Sequence, residues 1–350
     1  MKTWTRLFMA LVLASTFQLV NAQDIHFSQF YSQPLLLNPA MTGNVSESYR
    51  FALTYRNQWS SIPAPYNTIA ASFDASLLGC QLGNDHVGVG ASFFNDRSGD
   101  GVLQDNSVML SVAYHKGLDA ERRFMLTAGI QGGYKHKSIN VENLLFSEQI
   151  NESLEFDPTL SNGENFASNS FGYFDMRAGG MLTAAPSPNI NFYMGGAYYH
   201  FTEPQETFLN ESAEKNLLDA RLVFHAGGTF FLGDAVSLSP SAIYQSQTAS
   251  QEILIGTAFG VHFGREYNRY RRKASSGSGL YLGGWYRLDD AIIFMVGVDF
   301  QNFRFGFSYD INVSPLNEAS QYQGGVELAI NLTGQLTECK RQSPTYCPRF

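Results

Sequence analysis

From Tyr49 onward, apolar and polar residues alternate with a period of two in run after run. In the stretch NFRFGFSYDI, residues 302 to 311, Phe303, Phe305, Phe307, Tyr309 and Ile311 fall on one face of a strand. Asn302, Arg304, Gly306, Ser308 and Asp310 fall on the other. Bounded by turn residues, such runs predict strands over 49–58, 66–77, 85–95, 103–115, 124–138, 171–183, 190–201, 217–231, 235–246, 251–263, 279–288, 290–300, 302–311 and 322–332. That makes fourteen strands, with little between them that reads as helix.

Which face of these strands is the inside decides the class of protein. A soluble sandwich buries the aromatic face and wets the other. A membrane barrel turns the aromatic face to lipid and fills its lumen with the polar one. In 290–300, Ile292, Phe294, Val296, Val298 and Phe300 oppose Gly297 and Asp299; in 251–263, Ile253, Ile255, Phe259, Val261 and Phe263 oppose Gly256, Ala258, Gly260 and His262. Small and charged residues thus share one face, as in a lumen where facing walls crowd, and the aromatic face is expected to meet lipid. The expected lumenal charges are Arg50, Arg56, Asp74, Arg287, Asp299, Arg304, Asp310 and Glu327. They come from the last four strands and the first two, which are neighbours when a barrel closes, so opposite charges can pair and fill the lumen.

An even strand number puts both barrel ends on the periplasmic side. With the first strand running outward, the long polar links 139–170 and 202–216 fall outside, and the tight links LGD, QN and APSPN fall inside. The link REYNRYRRKASSGSG, 265–279, is the exception, being long yet on the inner side.

Lys2 and Arg6, a mostly apolar stretch to Val20, and Val20-Asn21-Ala22 read as a secretory signal with Gln23 as the mature start. No later run is long enough for a transmembrane helix, so the chain can cross a membrane only as a closed barrel. The expected organisation is a signal peptide over 1–22, an N-terminal extended segment over 23–48, an all-β antiparallel transmembrane barrel over 49–332 and a periplasmic tail over 333–350. Within 24–45, Pro34 and Pro39 exclude a continuous helix or central strand, and Leu35, Leu36 and Leu37 need burial. The nearest surface that can bury them is the barrel, which makes the segment a plug or an inner-rim brace.

Composition agrees with a barrel: 28 Phe, 18 Tyr and 32 Gly stand beside only 15% charged residues. The formal charge of −8, which becomes −10 without Lys2 and Arg6, argues against nucleic acid as a partner. Of the three cysteines, Cys339 and Cys347 are the expected disulfide, with Ser343-Pro344 favouring a turn between them and Cys80 as a competitor for one partner. No Cys/His spacing resembles a zinc site, neither GxSxG nor HExxH occurs, and no cofactor or catalytic activity is expected. His115, His200, His225 and His262 sit in the strand runs among Tyr and Gly, where packing is their default role.

After the signal comes QDIHFSQFYSQPLLLNPAMTGN, then YRNQW and PAPYNTIAASFD; further on stand VGVGASFFNDRSG, LYLGGWYRLDD, FGFSYDI, GGVELAINL and the terminal CPRF. The ordered set resembles the PorP/SprF family of type IX secretion system outer-membrane proteins, although Met41 and Thr42 stand where that pattern often has an aromatic. The resemblance implies a non-enzymatic outer-membrane barrel of the secretion or gliding-motility apparatus of Bacteroidota. It also implies association with secreted or surface adhesin-like cargo and with periplasmic components of the machine. On these motifs the plug or rim candidates are Gln33, Pro34, Asn38, Pro39, Ala40 and Gly43, and the candidates at the outer end of the first strand are Arg56, Asn57, Gln58 and Trp59. Trp59 suits an interfacial belt. Arg269, Arg271, Arg272 and Lys273 in the basic link are candidates for docking periplasmic components, since clustered charge orients an encounter. The alternative reading is a passive channel or small-solute transporter, which the same fold supports.

Overall fold

The computed structural model describes residues 25–335 apart from 63–64, 80, 100–102, 145, 152–154, 158, 165, 210–215, 234 and 264–277. The signal, Cys80, Cys339, Cys347 and the four basic docking candidates Arg269, Arg271, Arg272 and Lys273 lie outside the described residues.

Fourteen strands close into one antiparallel barrel. They are β1 (Tyr49–Gln58), β2 (Tyr66–Leu77), β3 (His86–Ser98), β4 (Leu103–Gly117), β5 (Phe124–Ile139), β6 (Ser170–Ser187) and β7 (Ile190–Tyr199). The second half comprises β8 (Arg221–Phe231), β9 (Val236–Gln247), β10 (Ser250–Phe263), β11 (Ser278–Arg287), β12 (Ala291–Phe300), β13 (Phe303–Asn312) and β14 (Gln323–Gly334). Each strand pairs with its sequence neighbours. β14 returns to β1 in a register that runs from Tyr49↔Gly334 to Gln58↔Gly325, which leaves no unpaired sheet edge. No helix among the described residues is long and apolar enough to cross a membrane, and the strands are the elements that do so.

The two ends of the barrel differ. One carries the long links 140–169 and 200–220 and is called here the loop end; the other carries the two-residue links 188–189 and 301–302 and is the turn end. β1 starts at the turn end, where β10 also ends and β11 begins. The strand bounds depart from the sequence reading at both ends of the barrel: β6 runs to Ser187, four residues past the expected 183, at the turn end, and β7 and β8 differ at the loop end. β8 begins at Arg221 because Leu217 bridges to Gln205 inside the loop, and β7 stops at Tyr199 because His200 adopts a left-handed φ of 58°. His200 therefore follows its strand instead of lying within it.

The faces of the barrel divide by chemistry. Phe294, Phe305 and Phe307 project outward with 55%, 43% and 44% of their surface exposed, while Ser308 and Asp310 on the opposite face of β13 are buried. The lumenal face is not only polar and small. Tyr193, Tyr199, Met181, Leu254, Trp285 and Ile293 form an apolar cluster there with Phe30, Tyr31, Leu37 and Met41 of the N-terminal segment. The core of the protein thus sits inside the barrel, around residues 25–48. That segment is compact, with 3-10 turns at Phe30–Ser32 and Pro39–Met41 flanking the four-residue helix α1 (Pro34–Leu37). Each proline starts a short helical turn, where its missing N–H costs nothing.

Candidate functional site

The N-terminal segment is bonded to the wall at three heights. Near the loop end, the backbone N–H groups of Ser28 and Gln29 donate to the two carboxylate oxygens of Glu327, both at 2.9 Å. The Ser28 hydroxyl donates to Asp310 at 2.6 Å and accepts from Arg56 at 2.6 Å and Arg287 at 2.8 Å. Arg56 also reaches Asp310 at 3.0 Å and Glu327 at 3.2 Å, and His26 lies 3.6 Å from Glu252. Hydrogen bonds to ionised groups are about twice as strong as neutral ones. Removing one partner of such a buried pair strands the other, typically at a cost of about 3–5 kcal/mol.

At mid-height the contacts are neutral. Gln33 donates to the Thr54 hydroxyl at 3.0 Å and to the Ala70 carbonyl at 3.2 Å, and accepts from Ser72 at 3.0 Å. Asn38 donates to the carbonyls of Gly180 at 3.1 Å and Gly196 at 3.2 Å, lies 2.9 Å from His225 Nε2 and caps the following turn by accepting from the Ala40 N–H. The Tyr199 hydroxyl donates to the Leu36 and Leu37 carbonyls. Near the turn end, the Gly43 N–H donates to Asp74 at 2.7 Å, and Asp74 is gripped by Arg50 at 3.0 and 2.8 Å. His115 Nε2 donates to the Thr42 carbonyl at 2.7 Å.

The lumenal glycines make room for this chain. A Cβ on Gly179 would stand 2.0 Å from Asn38 Oδ1, one on Gly129 2.5 Å from the Pro39 carbonyl oxygen, and one on Gly88 2.0 Å from the Thr42 carbonyl oxygen. Gly43 itself has φ +72° and packs its backbone against Gly88, a conformation only glycine adopts without strain. Elsewhere glycines admit large neighbours from the wall, as Gly256 and Gly283 do for Trp285. The crowding inferred from small residues is real, but at β3, β5 and β6 its physical source is the segment and not the opposite wall.

The eight lumenal charges fall into separate groups. Arg50 and Asp74 pair near the turn end. Asp299 and Arg304 pair there too, on β12 and β13, with the Tyr281 hydroxyl donating to Asp299 at 2.7 Å. Arg56, Arg287, Asp310 and Glu327 meet in the loop half around Ser28. Asn57, Gln58 and Trp59 mark the loop end of β1: Asn57 donates to Asn67 at 2.6 Å, Gln58 accepts from Arg56, and the Trp59 ring meets Tyr66 edge-on at 5.4 Å. Sequence reading did not single out Ser28, Gln29 or Glu252, and it gave His225 a packing role in its strand where the structure sets it against Asn38. The only signal for them was the QPLLLNPAMTGN motif beside unexplained lumenal polar residues.

Between residues 25–37 and the wall of β7–β10 a cavity of about 30 Å³ remains, lined by residues that include His26, Tyr199, Arg221, Gln245 and Glu252; it has room for about one water. Outside the barrel, the links 140–169 and 200–220 contain eleven acidic side chains and one lysine, more negative charge than the −8 of the whole chain. The loops are tied together and to the wall by edge-on rings of Phe171 and Phe208 at 4.6 Å, by the Phe166↔Leu209 bridge, and by Glu206 paired with Lys137. Ile150 and Phe156 stand 50% and 45% exposed among those acids.

A closed fourteen-strand barrel with a lipid-facing aromatic surface and an internal N-terminal segment defines an outer-membrane β-barrel protein. The model of the type IX secretion system membrane protein PorP/SprF matches residues 19–331, and the chain belongs to that family. Membership marks it as an outer-membrane component of the type IX secretion system. Among solved structures it is similar to the CymD monoaromatic hydrocarbon channel, with 11% identity over 87% of this chain and 93% of that one and a TM-score of 0.43. It is also similar to a Pseudomonas aeruginosa FadL homologue, with 10% identity over 84% and 92% and a TM-score of 0.44. At those scores the likeness bears no further weight. A search of curated protein sequences found no match.

Proposed function

We propose that this protein is a sealed, non-enzymatic barrel that serves the type IX secretion or gliding-motility apparatus as a docking component rather than a conduit. Adhesin-like cargo is received at the loop end and periplasmic components of the machine at the turn end. The observation that carries the reading is the filling of the lumen: residues 28–43 are bonded to the wall from the loop half to the turn end, and charges that could line a pore are spent on one another and on the segment. The segment therefore acts as a plug, with Gln33, Asn38 and Gly43 among its anchoring residues. With the lumen closed, the surfaces left for function are the lipid belt and the two ends. The acidic loops suit a basic cargo surface, and the basic link containing Arg269, Arg271, Arg272 and Lys273 suits an acidic periplasmic one, because clustered charge steers encounter and fixes orientation.

Conductance in planar bilayers tests the reading. The purified protein is expected to show no stable current steps, and a variant lacking residues 25–44 is expected to conduct. Ohmic steps from the intact protein would favour the passive channel instead.

A further inference from the structure

We infer that the N-terminal segment threads the barrel from the cell-surface mouth to the periplasmic mouth, so that the chain enters its own lumen from outside the cell. The order of anchors along the segment carries this. Ser28 and Gln29 are held by Arg56, Asp310 and Glu327, which lie toward the loop-end termini of β1, β13 and β14. His26, two residues earlier, lies beside Glu252, the third residue of β10 counted from the loop end. Fifteen residues after Ser28, Gly43 is bonded to Asp74, the fourth residue of β2 counted from the turn end. The chain then leaves the lumen at Ser48, whose N–H donates to the carbonyl of Gly334, the last residue of β14. The net direction along the barrel axis is therefore from loop end to turn end.

Loop length fixes which end is outside, because outer-membrane barrels have short periplasmic turns and longer extracellular loops. The two longest links, 140–169 and 200–220, are both at the loop end, where one link, 248–249, is nevertheless short; at the turn end the longest link is the fourteen-residue 264–277. A brace at the periplasmic rim would place Ile25 and His26 near the start of β1; they lie instead at the opposite mouth.

Two consequences follow. Ile25 and His26, half-buried ahead of the buried Phe27, are the described plug residues nearest the cell-surface mouth, so a ligand that engages them from that end must be extracellular. The two halves of the plug are also held differently. Its outer anchor consists of charge-assisted hydrogen bonds, while its deeper half adds close steric contact with Gly88, Gly129 and Gly179 to the charge-assisted bond from Gly43 to Asp74, so the outer part has only its hydrogen bonds to lose.

The test uses the full chain in the outer membrane of producing cells, with Cys80, Cys339 and Cys347 replaced by alanine. His26→Cys, Glu155→Cys in the long loop and Gln81→Cys in the β2–β3 link are each treated with a small, charged, membrane-impermeant methanethiosulfonate, before and after the outer membrane is permeabilised. His26→Cys and Glu155→Cys are expected to react on intact cells, and Gln81→Cys at least tenfold more after permeabilisation. Failure of His26→Cys to react on intact cells, or reaction of Gln81→Cys there, would overturn the inference. An epitope inserted ahead of Ile25 gives a second readout that does not depend on reagent access to the crevice. Antibody binding to intact cells supports the threading, and binding only after permeabilisation rejects it.

Discussion

Gly179 and Gly180 are adjacent in β6, yet a side chain at each meets a different world. At Gly179 a Cβ would stand 2.0 Å from Asn38 Oδ1; at Gly180 the nearest atom is 3.8 Å away. Overpacking a filled interior costs about 1–3 kcal/mol, because dense packing leaves nowhere for the displaced group to go. Gly179→Ala is therefore expected to lower the thermal midpoint in detergent by several degrees, with a loss of about 1–3 kcal/mol. Gly180→Ala should stay within about 0.5 kcal/mol of the parent. Equal effects of the two would mean that Asn38 does not rest against β6. The same reasoning explains why Asn38 occurs between Leu37 and Pro39. Its side chain caps one turn and satisfies carbonyls on two strands, work that an apolar residue there could not do.

At the scale of the strand, alternation assigns each residue of β12 and β13 to lipid or lumen, and chemical access should follow it. In a cysteine-free background, Phe294→Cys and Phe305→Cys are expected to react with lipid-soluble maleimides and to resist water-soluble ones. Alternation alone assigns Ser308 to lumenal water. The structure changes that, because Ser308 is fully buried and its hydroxyl accepts from Gln29 at 3.2 Å. Ser308→Cys should then resist both reagents in the full chain and react with the aqueous one once residues 25–44 are deleted. Rapid aqueous labelling of Ser308→Cys in the intact protein would show that the segment does not occupy its seat.

For the whole molecule, the distribution of charge matters more than its sum. The two long links hold eleven acids and one lysine, so the remainder of the chain is close to balanced. Exposed charges separated by more than about 10 Å at 0.1 M salt are screened, and a partner steered by these loops should be lost as salt rises. Replacing Glu142, Glu148, Glu155 and Asp157 by lysine is expected to weaken cargo retention at low ionic strength at least tenfold and to abolish its salt dependence, while the heat-modifiable barrel still forms. Unchanged retention would leave the acidic loops as solvated decoration.

The period-two pattern by itself determined the strand number, the antiparallel order and the lipid-facing side, because a strand in a closed barrel has only two faces and lipid selects one of them. The run NFRFGFSYDI shows this fully, each aromatic outward and Ser308 and Asp310 inward. It could not show what the inward face meets. Pro34 and Pro39 signalled a broken backbone and the three leucines a need for burial, but the seat of Asn38 depends on Gly179, Gly180, Gly196 and His225, more than 140 residues away. Ser28 meets Glu327 across a separation of 299 residues. Such partners have no period and no local spacing; they become neighbours only when β14 closes on β1 around the segment. Tertiary structure alone decided that residues 25–48 lie inside the barrel, that its glycines form the seat of the N-terminal segment, and in which direction that segment runs.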